Sequence, residues 1–189
     1  MATTSIEIQN DVTRAKEDVE GSDGRMNVSS RQDSRMYYNS RDRKQAYSFV
    51  YNFDLAENNE VAAYLQNTSS DGKEIVIEHI GVNSDSAIRI EADFVTGTAA
   101  GGTTVTPTNL NRTSSNAANA SAMEGGSAST GVTGLTVAAK IDRTSVAADG
   151  HQEFELKDSV RLGQNDAIAI TVIEGTTADT FGVIYFYFE

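Results

Sequence analysis

The chain of 189 residues contains no cysteine and no tryptophan, and it has only one proline. Without cysteine it can form neither a disulfide framework nor a thiolate metal site, so packing alone has to stabilise its core. No segment approaches the roughly 18 consecutive apolar residues of a membrane-spanning helix, and the N-terminal segment lacks the apolar region of a secretory signal peptide. These absences exclude a disulfide-rich secreted module and predict a protein made in the cytoplasm.

Acidic residues outnumber basic ones, and the formal net charge is −12. Residues 1–46 contain eight basic and eight acidic residues, so the whole excess of acid lies in residues 47–189. An acidic body is repelled by nucleic acid and by anionic lipid. The charge therefore disfavours both nucleic acid and a membrane as partners.

Residues 1–46 are polar and contain few large apolar side chains, a composition that cannot fold alone. A flexible tail and an extended arm lying on a partner or a sister subunit are the two interpretations, and we predict the arm. Its second half is locally basic, with two neighbouring tyrosines. The candidate contact residues here are Arg25, Arg31, Arg35, Tyr37, Tyr38, Arg41, Arg43 and Lys44.

From Tyr47 onward, apolar and polar residues alternate in short segments separated by turn signals such as Asp71-Gly72. The predicted strands are 47–53, 60–67, 73–82, 87–95, 131–141, 151–162, 167–174 and 181–189. About eight strands with no amphipathic helix indicate an all-β fold, a jelly-roll or Greek-key sandwich, with an extended N-terminal arm.

The alternation also predicts which side chains face the core. In residues 73–82 it groups Ile75, Ile77 and His79 on one face, and in residues 87–95 it places Glu91 and Asp93 in solvent. The last strand is apolar on both faces. We therefore expect a second sheet, the arm or another subunit to cover its outer face.

No catalytic constellation is visible in the sequence. The two histidines, His79 and His151, have no partners at metal-ligand spacing. The glycine-rich segment 97–102 lacks the lysine of a phosphate loop, and segment 125–129 lacks a nucleophile elbow. Calcium at an acidic turn stays open. We expect a protein that is not an enzyme and has no cofactor.

A long insertion at residues 96–135 is rich in Thr, Gly, Ala, Ser and Asn, and only Arg112 and Glu124 are charged. A disordered linker would normally carry more charge or more proline. We predict an ordered insertion into the β body of residues 47–189, packed against another subunit. Its asparagines at 109, 111, 116 and 119 are suited to holding local turns. The candidate contact residues are Pro107, Asn109, Leu110 and Asn111.

The segment "TVTPTNLNRTSSNAANASA", with the following "MEGG" and the C-terminal "YFYFE", resembles the T-P-x-N-L-N-x-x-S-x-N-x-A segment of small β-rich structural proteins of tailed-bacteriophage virions. The resemblance covers residues 103–126 and, more loosely, 167–189. It implies a head-decoration (cement) protein with a jelly-roll-like body, often trimeric, and it implies no catalytic residues.

On this interpretation the chain would stabilise the phage head shell from the capsid surface of the virion. Its partners would be the major capsid protein and sister subunits in a homotrimer. One alternative is a phage tail or head-fibre module that anchors the fibre or binds a host receptor or glycan. A cytosolic β-sandwich hydrolase is a further alternative. It would need a convergent pair of catalytic acids, and no such pair stands out in the sequence.

Overall fold

A computed structural model of the chain describes residues 34–126, 131–175 and 178–189, together with the backbone of two short strands nearer the N-terminus. These strands, β1 (Glu7–Gln9) and β2 (Lys16–Asp18), pair antiparallel. The candidate residues Arg25 and Arg31 lie outside the described residues.

The chain divides into two compact units, residues 1–33 and residues 34–189. The second unit thus begins before the first predicted strand, and residues 34–45 belong with the β body. Within these residues, the short helix α1 (Arg35–Tyr38) continues into a π-helical turn, Asn39–Arg43.

The rest of the second unit is built mainly of strands. They are β3 (Ala46–Leu55), β4 (Glu60–Asn67), β5 (Ile75–Ser84), β6 (Ile88–Ala100), β7 (Thr103–Val105), β8 (Thr108–Asn109), β9 (Ala120–Glu124), β10 (Thr133–Val146), β11 (Gly150–Leu162), β12 (Ala167–Gly175) and β13 (Ala178–Phe188). All eight strands predicted from the alternation are present. Both ends of the 96–135 insertion are strand residues, because β6 runs on to Ala100 and β10 begins at Thr133.

Two antiparallel sheets result, one of six strands in the order β10-β6-β12-β4-β9-β7 and one of five in the order β11-β5-β13-β3-β8. The eight long strands pair in a nested manner. The first pairs with the last (β3 with β13), the second with the seventh (β4 with β12), the third with the sixth (β5 with β11) and the fourth with the fifth (β6 with β10). The all-β prediction is confirmed, and the two sheets are those of a β-sandwich.

The inward-facing side chains of both sheets form one apolar core. Its largest fully buried members are aromatic and branched side chains: Tyr47, Phe49, Tyr51, Phe53, Leu55, Leu65, Ile75, Ile77, Ile80, Ile90 and Phe186. Strand β3 contributes every second residue from Tyr47 to Leu55 to this core, as the period of two requires. Burial of these side chains is the main favourable term in folding.

A β-bulge in β5 changes the predicted face of His79. Ile77 and His79 lie opposite Phe186 and Tyr185, which are consecutive in β13, so Glu78 is an extra residue. The inward set is therefore Ile75 and Ile77 before the bulge and Ile80 after it. The grouping of His79 with the isoleucines was wrong, because one inserted residue reverses the alternation.

The outer face of β6 is also more deeply buried than the sequence predicts. Glu91 is 4% exposed and Asp93 is fully buried. Asp93 pairs with Ala169 on β12, and Ala169 in turn pairs with Tyr64 on β4. Ala169 and Tyr64 both belong to a second small apolar cluster. The expected solvent exposure of the two acids was wrong, and burial raises the pKa of Asp93.

The outer face of the last strand is partly covered by the short helical segment. Tyr187 is fully buried and forms a small cluster with Ala46 and Val76, against which Met36 packs. Further along the strand Phe181 remains half exposed. Strand β13 is apolar on both faces, and residues N-terminal to β3 thus cover its outer face at one end.

Candidate partner-binding surface

The helical segment 34–45, hereafter the hook, begins and ends at defined caps. The hydroxyl of Ser34 accepts a hydrogen bond from the Tyr37 amide at 3.1 Å, as an N-cap does. Lys44 adopts a left-handed conformation with φ of 56° and stops the helical turn. The chain then enters β3, with the Gln45 amide donating to the Asn39 carbonyl at 2.9 Å.

Ion pairs fix the start of the hook beside the C-terminus. The Arg35 guanidinium lies 3.2 Å from the Glu189 carboxylate. The same carboxylate accepts from Arg161 at 2.7 Å, and Arg161 also contacts Glu74 at 3.0 Å. Since each of these side chains is partly exposed, the pairs contribute orientation more than stability.

The asparagine loop, residues 106–119, packs beside the hook. Its strand β8 pairs with Tyr47 and Ser48 of β3. The Tyr47 hydroxyl donates to the Ala117 carbonyl at 3.1 Å from the other side. Pro107 is buried at the base of the loop. The loop is therefore attached to the sandwich at both ends.

Asn109 is the hub of this loop. Its side-chain amide donates to the carbonyl oxygens of Lys44 and Asn116, each at 3.0 Å. Its side-chain oxygen accepts from the Asn111 amide at 2.9 Å, which closes a local turn. One side chain thus joins the end of the hook to two parts of the loop.

Asn111 makes a second connection of the same kind. Its side-chain amide donates to the Ser40 carbonyl at 2.9 Å, and its side-chain oxygen accepts from the Thr113 amide and hydroxyl. Asn116 adds a longer bond to the Lys44 carbonyl at 3.3 Å. Through these bonds the hook and the asparagine loop form one continuous surface.

This hook–loop surface is basic and carries exposed apolar and aromatic groups. The two segments contain five basic residues and one acidic residue, whereas the whole chain has a net charge of −12. Tyr37 is 41% exposed and Leu110 39% exposed. The exposed basic and large apolar or aromatic side chains of the surface are Arg35, Tyr37, Arg41, Arg43, Lys44, Leu110 and Arg112.

Two arginines of the hook stack on its tyrosines. Arg41 lies over the ring of Tyr37 at 5.0 Å, and Arg43 lies over the ring of Tyr38 at 5.4 Å. Arg41 also pairs with Asp42 at 2.8 Å, and this hydrogen bond lowers the pKa of Asp42. Arg43, Lys44 and Arg112 form no ion pair with any residue that the structure describes, so their charge is available to a partner.

The structure separates the sequence-predicted candidates by role. Arg35, Tyr37, Arg41, Arg43, Lys44 and Leu110 are exposed on the surface, whereas Tyr38, Pro107, Asn109 and Asn111 are buried or partly buried. The second group holds the surface in shape. Two contributors, Arg112 and Asn116, were not among the predicted contact residues, although Asn116 was expected to hold a local turn. The isolated charge of Arg112 within a neutral insertion could have revealed it.

Other kinds of site find little support in the described part of the chain. There, no group of three or more His, Asp or Glu side chains could hold a metal ion, and no helix is long and apolar enough to cross a membrane. A polar cavity of about 400 Å³ does open beside the loop, between Lys73 and Asn116. No protein-family model, no curated protein and no solved structure matches the chain.

Proposed function

We propose that this chain is a non-enzymatic virion protein that decorates and stabilises a phage head shell, with the hook–loop surface as its docking site. The observation that carries the proposal is the joining of hook and loop by Asn109 and Asn111. It creates an ordered basic surface on an acidic protein. A binding module needs such a surface, whereas an enzyme would need convergent reactive groups.

The strand order supports the same proposal. The nested pairing of eight strands across two sheets leads us to propose a jelly roll, an arrangement common in viral capsid and lectin domains. The partner would be the major capsid protein, with sister subunits meeting as a homotrimer around a symmetry axis. Arg25 and Arg31 of the N-terminal segment stay candidates for a capsid contact because of their positive charge.

The mechanism would be that of a clamp. Arg43, Lys44 and Arg112 would be attracted to acidic surface at the junction of capsid subunits and set the orientation of docking. Tyr37 and Leu110 would then be buried, which supplies most of the affinity. Because the asparagine network already holds the loop, binding costs little ordering entropy.

Co-sedimentation with empty shells, assembled from the major capsid protein of the virus that encodes the chain, tests this proposal. We expect the triple variant Arg43→Ala, Lys44→Ala and Arg112→Ala to bind at least about tenfold more weakly, since these cations form no ion pair among the described residues. The control is Arg89→Ala, an exposed arginine of β6 that pairs with Glu174 at 2.6 Å.

The control should bind like the unmodified protein. Equal binding by the triple variant and the unmodified protein would remove the hook–loop surface from the proposal. Failure of the unmodified protein to bind shells at all would refute the decoration role itself.

A further inference from the structure

Two irregularities of the five-stranded sheet face each other on the neighbouring strands β5 and β11. Glu78 is the extra residue of the β5 bulge. On the neighbouring edge strand β11, pairing with β5 is interrupted between Glu155 and Val160. Within that interruption Lys157 and Asp158 have φ of 44° and 63°, the left-handed region that non-glycine residues seldom adopt. The interruption places the segment that contains Asp158 opposite Glu78, and burial together with the nearby Asp158 carboxyl group raises the pKa of Glu78.

The contact between these carboxyl groups is incomplete without a proton. Ionised carboxylates only accept hydrogen bonds, so two of them cannot bond to each other. Among the described residues, the buried Oδ1 atom of Asp158 has no hydrogen-bond partner, and neither has the hydroxyl of the fully buried Tyr187. Burial and the nearby Asp158 carboxyl group raise the pKa of Tyr187, so its hydroxyl keeps its proton. A single proton between Glu78 and Asp158 would turn the contact into a hydrogen bond.

Among the described residues, no cation is placed to replace this proton by an ion pair with either carboxyl group. The titratable and charged groups that face the pair are His79 on β5, Glu153, Glu155 and Lys157 on β11, and Tyr185 and Tyr187 on β13, with Arg35 and Glu189 further off beside Tyr187. The ammonium of Lys157 pairs with Glu155 at 3.0 Å. The ring of His79 stacks on Tyr185 at 4.5 Å. Glu78 and Asp158 form no ion pair with any described residue.

We propose that Glu78 and Asp158 share one proton, which fastens the edge strand β11 to β5, and that loss of this proton loosens the bulge Leu156–Ser159. Partial burial, together with the nearby Asp158 carboxylate, raises the pKa of Glu78 from 4.5 to about 7. The folded protein therefore holds the proton more tightly than the unfolded chain does. The stabilisation is complete below pH 4.5 and is lost as the pH rises to about 7.

Carbon-13 NMR titration of the Glu78 side chain in the full-length protein tests the shared proton directly. We expect a midpoint near 7, as against 4.5 for an unperturbed glutamate. A midpoint at the unperturbed value would overturn the proposal.

The effect on the strand is tested by amide hydrogen exchange of β11, corrected for the intrinsic pH dependence of exchange. We expect the unmodified protein to lose protection around the bulge as the pH rises toward about 8. Glu78→Gln, which keeps a donor toward Asp158, should keep its protection over the same range. The matched control is Glu174→Gln, an exposed acid of β12 in the other sheet, which should behave like the unmodified protein.

Protection that does not change with pH in the unmodified protein, or that falls equally in Glu78→Gln, would contradict the proposal. If Glu78→Gln does not fold, Asp158→Asn serves instead, because its amide can donate to Glu78. In Asp158→Asn the titration midpoint of Glu78 should fall back toward 4.5, since the neighbouring negative charge is gone.

Discussion

The side-chain amide of Asn109 donates to the main-chain carbonyl of Lys44 at 3.0 Å, across 65 residues of sequence. Neither residue belongs to a long strand, yet the bond joins two irregular segments into one surface. The sandwich supplies the frame, since β3 follows the hook directly and pairs with β8 of the loop. Asn109 then fixes how the two segments meet.

The first prediction concerns this amide. Asn109→Ala removes the bonds to Lys44, Asn116 and Asn111 at once. We expect a loss of about 1–3 kcal/mol in the free energy of unfolding, because polar groups are left without partners. Urea denaturation measures it. Asn119→Ala is the control, since Asn119 contributes its main-chain carbonyl to Thr68, and it should lie within about 0.5 kcal/mol of the unmodified protein.

A second prediction distinguishes two N-terminal deletions. Removing residues 1–33 should leave the melting of the body nearly unchanged, because the second compact unit begins at Ser34. Removing residues 1–45 should lower the melting temperature, since the loss of Met36 partly uncovers Tyr187 and Val76. Differential scanning calorimetry compares the two. Equal melting temperatures would show that the hook adds nothing to the stability of the sandwich.

The third prediction concerns Glu91, which accepts hydrogen bonds from both Lys140 and Arg143. Burial alone would raise the pKa of Glu91, but these two partners outweigh burial and lower it. The stabilisation by Glu91 is therefore present above its unfolded pKa of 4.5 and is lost as the pH falls through the lowered folded value.

Glu91→Ala removes the acceptor of both cations, and we expect a loss of about 1.5–3 kcal/mol near neutral pH, the usual contribution of hydrogen bonds to charged groups, because the half-exposed cations return to water. Denaturation at a series of pH values measures both effects. In Glu91→Ala, the free energy of unfolding should no longer show the decrease at low pH that is due to protonation of Glu91. Glu174→Ala, which removes an exposed partner of Arg89, should cost less than about 1 kcal/mol.

A fourth prediction concerns the close approach of β13 to its neighbours. A Cβ atom added to Gly182 would collide with the Gly81 carbonyl and with the buried ring of Tyr51. We expect Gly182→Ala to cost about 1–3 kcal/mol, the usual effect of overpacking. In Gly163→Ala the added atom would meet only the Asp166 carboxylate, at 3.2 Å. Thermal unfolding of both variants measures the difference. If Gly182→Ala lowers the melting temperature no more than Gly163→Ala does, the expected collision is contradicted.

The eight long strands could be predicted because their signal is local. Alternation with a period of two marks each strand, and turn residues separate them. The bulge at Glu78 could not be predicted, because whether a strand holds an extra residue depends on what its neighbours pair with. The burial of Glu91 was missed for a similar reason, as its cations lie about fifty residues further along the chain.

The candidate surface was predictable by composition but not by arrangement. Clustered arginines and tyrosines indicated one half of it, and neutral, turn-forming asparagines indicated the other. Nothing in the sequence connects Asn111 to Ser40, because side-chain bonds to main-chain carbonyls leave no pattern in either segment. The polar composition of residues 34–45 also conceals their attachment, which depends on Met36 packing beside Tyr187.

The pairing of the first long strand with the last has a practical consequence for protein engineering. Ala46 lies opposite Tyr187, so the C-terminus emerges next to the hook, and Arg35 contacts Glu189 itself. A fluorescent protein or affinity tag fused after Glu189 would crowd the surface proposed to dock. The turn after Val146 lies at the opposite end of the strands, where β3 ends, and it is the better place to attach cargo for display.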